Sequence, residues 1–194
     1  VVCDCLDSGM NKRTIVVGTT LAATLFVSVG TAGAAVPVGP GPTGTYVVEP
    51  QPSDCHYQQS ADGQTLPDSR CTPGATNPKV TPDTLDSTIC KSGYTRSIRP
   101  PVSITDREKA LNAKSYDYTG ALSAAEYDHL IPLEVGGDPN DPRNLWVEPG
   151  ASPNAKDSVE NRLHQLVCAR TVSLRAAQEA IATDWTTALA KVGG

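Results

Sequence analysis

His129, one of three histidines in the chain, follows Asp128 directly at the end of an apolar run in EYDHLIPLEVGG, 126–137. Pro132 and the pair Gly136-Gly137 come just behind it, then Asn144 in NLWVE and Asn154 in PNAKD. An imidazole with an ordinary pKa of about 6.5 is largely neutral near pH 7 and can take a proton from water. A carboxylate on Asp128 and an amide carbonyl on Asn154 are hard oxygen donors of the kind a divalent ion prefers. Water activation beside a cation that neutralises an anionic transition state is the chemistry of phosphodiester hydrolysis. A DH pair alone carries little of this, since a strand-end histidine with one backbone hydrogen bond is the commoner arrangement. Neighbours on a regular strand also face opposite ways. Asp128 and His129 therefore serve one site only if the strand bends or ends there, as Pro132 and the glycines behind it suggest.

The surrounding sequence supplies elements that would position these residues. AAEYDHLI and NLWVE (144–148) read as two short strands, with turn chemistry throughout EVGGDPNDPR between them. Ser152-Pro153 reads as an N-cap with proline at the first helical position. Val159, Leu163, Leu166, Val167 and Arg170 then keep a three-to-four spacing. Ser173 caps a last helix striped by Leu174, Ala177, Ile181, Trp185 and Leu189, and both stripes read as core. Upstream, STICKSGYTRSIRP has the β-branched content of short strands closed by Pro100-Pro101. TDREKALNAKSY opens as a capping box, Thr105 with Glu108, and predicts a helix over about 105–115.

The β–β–α order with D-H-x-x-P, then N-L, then N-x-K resembles the HNH, or His-Me finger, nucleases, and also a group of exported bacterial HNH-like proteins. The resemblance covers residues from about 126 to 165. It implies an α+β fold with a ββα-metal core, extra helices and disulfide staples. It implies His129 as general base, Asn144 tying the loop backbone so that the ring is aimed, and Asp128 with Asn154 holding one ion. That ion would be Mg²⁺ first, with Mn²⁺ or Zn²⁺ as alternatives. Lys156, Arg96 and Arg99 would touch phosphate, on DNA ahead of RNA. Asp157 and then His164 are the next choices for the third ligand position, and Glu160 and His164, four apart, could pair on one helix face. The zinc-binding cysteine pairs of many such domains are absent, and a Cys90–Cys168 disulfide would take over that bracing.

The bland readings stand alongside. His56, Glu134 and Glu148 read as solvated, Trp146 as core beneath the hairpin, and Tyr116, Tyr118 and Tyr127 as packing.

Met10 opens NKRTIVVGTTLAATLFVSVGTAGAA, which has the basic, apolar and small-residue order of a secretory signal peptide. This divides the chain into 1–9, an upstream extension carrying Cys3 and Cys5; 10–35, the signal; 36–86, a Pro/Gly-rich linker and loop region; and 87–194, the HNH-like domain. No membrane span is expected once the signal is removed, which places the protein outside the cell or at its envelope. Cys55, Cys71, Cys90 and Cys168 remain, and an even number in an exported chain suggests two disulfides with three possible pairings. The local Cys55–Cys71 with the long Cys90–Cys168 is the favoured set. Removing Lys12 and Arg13 from 16 basic residues and Asp4 and Asp7 from 21 acidic ones leaves 14 against 19, again −5. An acidic chain is not an obvious polyanion binder. The basic residues gathered from Lys91 to Lys114 soften this, although a solvated helix face would look the same. The alternative from another class is a non-catalytic exported binding protein that keeps the fold.

Overall fold

The strand segments AEYDH and LWVEP and the turn residues between them produce a hairpin, and the rest of the fold is built around it. The structure, a computed structural model, describes residues 35–150 and 152–194. The signal segment as far as Ala34, residues 1–9, and Cys3 and Cys5 lie outside the described residues. In chain order the elements are β1 (Gln58–Gln59), β2 (Thr65–Leu66), α1 (Tyr94–Ile98), α2 (Val102–Ser115), β3 (Ala125–His129), β4 (Leu145–Pro149), α3 (Ala155–Cys168), α4 (Leu174–Thr183) and α5 (Ala188–Val192). Short 3₁₀ turns link them. The protein is α+β, with two-stranded sheets β1–β2 and β3–β4. β3 and β4 run antiparallel, with Glu126 opposite Glu148, Asp128 opposite Trp146 and His129 opposite Leu145.

The expected stripes bury the helices. Leu163 and Val167 of α3 pack with Leu174, Ala177 and Ile181 of α4, Trp185, and Ile131 and Val135 of the β3–β4 connection. The connection that carries the site is therefore rooted in the main core. A second cluster joins Cys55, Cys71, Tyr116, Leu130 and Trp146. Asn112 fastens α2 to β4: its Oδ1 accepts from Val147 N at 2.8 Å, and its Nδ2 donates to Leu145 O at 3.3 Å. The disulfides are Cys55–Cys71 and Cys90–Cys168, the favoured pairing. Disulfides are a feature of chains that fold in oxidising compartments. Among the described residues no helix is long and apolar enough to cross a membrane.

Five local expectations are corrected. Residues 36–52 are rich in Pro and Gly with almost no charge, and read as unable to order themselves. They are instead laid down by hydrogen bonds from elsewhere: Gly39 N to Thr76 O at 2.8 Å, Glu49 N to Glu108 Oε1 at 2.9 Å, and Asn140 Nδ2 to Val47 O at 3.0 Å. The segment from Ala34 to Gly194 forms one compact unit, so no boundary falls at residue 87. The β-branched stretch at 87–100 follows a 3₁₀ helix (Pro82–Ser87) and forms turns and α1 rather than strands, with Gly93 at φ +84° leading into the helix. α2 begins at Val102 behind Pro101, so Thr105 lies inside it and Glu108 is buried under the 36–52 strap instead of capping. The N-cap of α3 is Asn154, not Ser152: its Oδ1 accepts from Lys156 N at 2.8 Å while Asp157 returns a bond to Asn154 N at 2.5 Å.

Candidate functional site

The regular pairing of β3 carries through His129, so Asp128 and His129 do point to opposite faces. On one face His129 is 7 % exposed, and its Nε2 lies 3.0 Å from Pro139 O. A carbonyl only accepts, so Nε2 carries the proton, and in the neutral ring Nδ1 keeps its lone pair. Nδ1 has no hydrogen-bond partner among the described residues. Burial, with Arg99 and Lys156 nearby, lowers the ring's pKa to about 4 against the opposing pull of the Pro139 bond and Asp128. His129 is thus a buried neutral imidazole with its proton on Nε2 and its lone pair on Nδ1.

The carbonyl that orients the ring is itself held from both sides. Asn144, fully buried, accepts from Ile131 N at 3.0 Å and Ala75 N at 3.3 Å, and donates to Ile131 O and Asp138 O, both at 3.0 Å. Asp138 Oδ1 accepts from the backbone N–H groups of Asn140 and Asp141 at 3.0 and 2.9 Å. Gly137 must be glycine, because a Cβ there would stand 1.8 Å from Ile131 O and 2.8 Å from Asn144 Nδ2. Asn144 acts as a brace and touches no solvent, the positioning task its place in the sequence suggested.

The other face of the hairpin is acidic. Glu126 and Asp128 share it by their alternate positions, and Glu148 joins them through strand pairing. Lys156, from the first turn of α3, runs into this cluster and is 1 % exposed. Its ammonium donates to Asp128 Oδ2 at 2.7 Å, to His129 O at 2.9 Å, and to Glu160 Oε1. Asp128 Oδ2 also accepts from Trp146 Nε1 at 3.0 Å. Burial opposes a charge on Lys156, but Asp128 and Glu160 together raise its pKa above the ordinary lysine value. Burial and then the Asp128 charge push the Glu148 carboxyl up, and burial pushes Glu160 up against the pull of Lys156. Both acids are driven towards the neutral form.

The expected residues are therefore brought together in part. Asp128 and His129 are linked through Lys156, which holds the carboxylate of one and the carbonyl of the other. Asn154 faces the same cluster with Nδ2, at 3.4 Å from both Glu126 and Glu148, while its carbonyl oxygen caps α3. A divalent ion between Asp128 and Asn154 does not fit these residues, because an ammonium holds one oxygen and a helix N–H the other. Lys156 is too deeply buried to meet phosphate. Arg99 is exposed and lines a polar cleft of about 180 Å³ with Pro132, Glu134, Asp157 and Glu160. Arg96 is exposed on α1 and does not line that cleft. His164 does not pair with Glu160: its Nε2 lies 3.0 Å from Ile89 O, and its Nδ1 lies 4.0 Å from Glu134. Cys90, His164 and Cys168 place donor atoms within 4.8 Å of one another, but both sulfurs belong to the disulfide.

Sequence reasoning missed the acidic cluster. Glu148 read as solvated and is 5 % exposed. Its signal was present in the alternation of Glu126 and Asp128, but the strand register that sets Glu148 beside them was needed to use it. No family profile, no curated protein and no solved structure matches this chain.

Proposed function

We propose that this protein hydrolyses phosphodiester bonds of nucleic acid, DNA ahead of RNA, with a β3–β4–α3 unit of the HNH type and His129 as general base. The observation that supports this most is the state of the ring: a neutral imidazole, proton fixed on Nε2 by the Pro139 carbonyl and lone pair left on Nδ1, in a loop braced by Asn144. In the proposed reaction Nδ1 takes a proton from water, the water oxygen bonds to phosphorus, and the displaced sugar oxygen is protonated by solvent. Arg99, on the rim of the neighbouring cleft, supplies a positive charge for the phosphate. Burial is the main reason the ring pKa is low; an arriving phosphate anion would offset the smaller contribution of the Arg99 and Lys156 charges. The signal-like segment and the two disulfides support an exported site of action.

A second reading, an exported protein that binds without cleaving, is favoured by one feature: the ring is buried. Incubation of the purified protein with supercoiled plasmid separates the two. Nicking that disappears in His129→Ala supports hydrolysis. Retention of DNA in a gel shift, with no nicking by either protein across a range of salts and divalent ions, supports binding alone.

A further inference from the structure

The acidic face of the hairpin has the composition of a cation site, and the position at its centre is held by the protein itself. An ammonium has three N–H donors and no acceptor. All three of those on Lys156 are satisfied, by Asp128 Oδ2, Glu160 Oε1 and the carbonyl of His129. These acceptors come from the end of β3 and from the second turn of α3, the two elements a bridging metal would have to join. The lysine stem is enclosed as well, since the residue is 1 % exposed. A magnesium ion asks for near-octahedral oxygen ligands at about 2.0–2.1 Å. Here a nitrogen stands between the two best-placed carboxylates, and the Trp146 indole occupies a further lone pair of Asp128 at 3.0 Å.

We infer that the Lys156 ammonium is the resident cation of this site, standing where a divalent ion would otherwise bridge Asp128 to α3 and excluding that ion. The lysine also holds the carbonyl of the residue whose ring carries the proposed chemistry, so the same cation fixes the strand end that presents His129. Whatever this site does, it does without a metal between Asp128 and Glu160. Replacing Lys156 by a neutral side chain frees the oxygens of Asp128 and Glu160, with Glu148 alongside, and creates an ion site that the natural chain lacks.

The inference concerns the proposed catalytic site but is read by ion binding rather than cleavage, so either can fail without the other. Terbium(III) is a hard, oxygen-seeking probe that emits when excited through a nearby indole. The chain has two tryptophans, and Trp146 donates to Asp128 itself, so an ion on that carboxylate would be sensitised. The protein, carrying Trp185→Phe so that Trp146 is the sole sensitiser, is titrated with terbium(III) chloride. No saturable emission that depends on Asp128 is expected. Lys156→Gln in the same background should gain a saturable signal at one ion per chain, lost again on adding Asp128→Asn. Saturable emission in the parent that Asp128→Asn abolishes would overturn the inference. A Lys156→Gln protein that is folded by circular dichroism and gains no signal would also overturn it. If Lys156→Gln does not fold, the comparison of the parent with Asp128→Asn decides alone.

Discussion

Replacing His129 by Gln keeps an N–H donor for Pro139 O and removes the titrating ring, which isolates the energetic signature of a buried neutral imidazole. The folded-state pKa is lowered from 6.5 to about 4. For a base depressed in the folded state, the unfolded chain takes up its proton first as pH falls. Stability is therefore unaffected above about pH 7, is lost as pH drops through 6.5, and levels off below 4. At pH 4 the loss is about 3 kcal/mol, from 1.36 kcal/mol per unit with the folded ring half protonated. Screening does not reduce this much, because the ring is buried. Urea unfolding with the disulfides intact, at steps from pH 7.5 to pH 4, gives the free energy for both proteins. The difference between wild type and His129→Gln should shift by about 3 kcal/mol against the wild type over that span. Carboxylates elsewhere titrate in both proteins and drop out of the difference. Parallel curves would mean that the ring is solvated and freely protonated, and the reasoning that makes it an oriented neutral base would be refuted.

Other outcomes follow from the same contacts. Lys156→Met should cost about 3–5 kcal/mol, because it leaves the Asp128 carboxylate buried without its cation; denaturant titration at pH 7 reads this. Glu148 behaves oppositely to His129: its folded pKa is raised from 4.5 to about 8, so the stability it adds is full below 4.5 and lost as pH rises through 8. Glu148→Gln should flatten that alkaline-side decline in thermal melts. Reducing Cys90–Cys168, whose partners are 78 residues apart, should lower stability by about 2–4 kcal/mol, measured against a Cys90→Ala/Cys168→Ala pair. If DNA crosses the Arg99 cleft, Arg99→Gln should reduce the slope of log affinity against log salt by about one.

The parts legible in the sequence are those fixed by local chemistry. Apolar and turn residue types define β3, β4 and their connection, and apolar spacing defines α3 and α4, because a stripe reports one buried face. The bracing role of Asn144 came from its place in the HNH-like motif rather than from local chemistry. The strap at 36–52 was not legible, since its order comes from distant partners such as Thr76, Glu108 and Asn140. Nor was the state of Lys156. Its burial depends on Glu126 and Asp128 from one strand, Glu148 from another and Glu160 one helical turn on, a convergence that only the strand register and the α3 docking angle produce. Ser152-Pro153 carries a stronger generic helix-start signal than Asn154, but the reciprocal bonds between Asn154 and Asp157 decide the cap.

The claim that His129 is a general base for phosphodiester cleavage is tested most directly by the initial rate of plasmid nicking at pH 7.5, wild type against His129→Ala, each with and without EDTA. The account predicts nicking by the wild type that persists in EDTA and falls by about 10²-fold or more in the variant. Equal rates in the two proteins, or nicking abolished by EDTA, would contradict it: the first removes the base, the second the self-supplied cation.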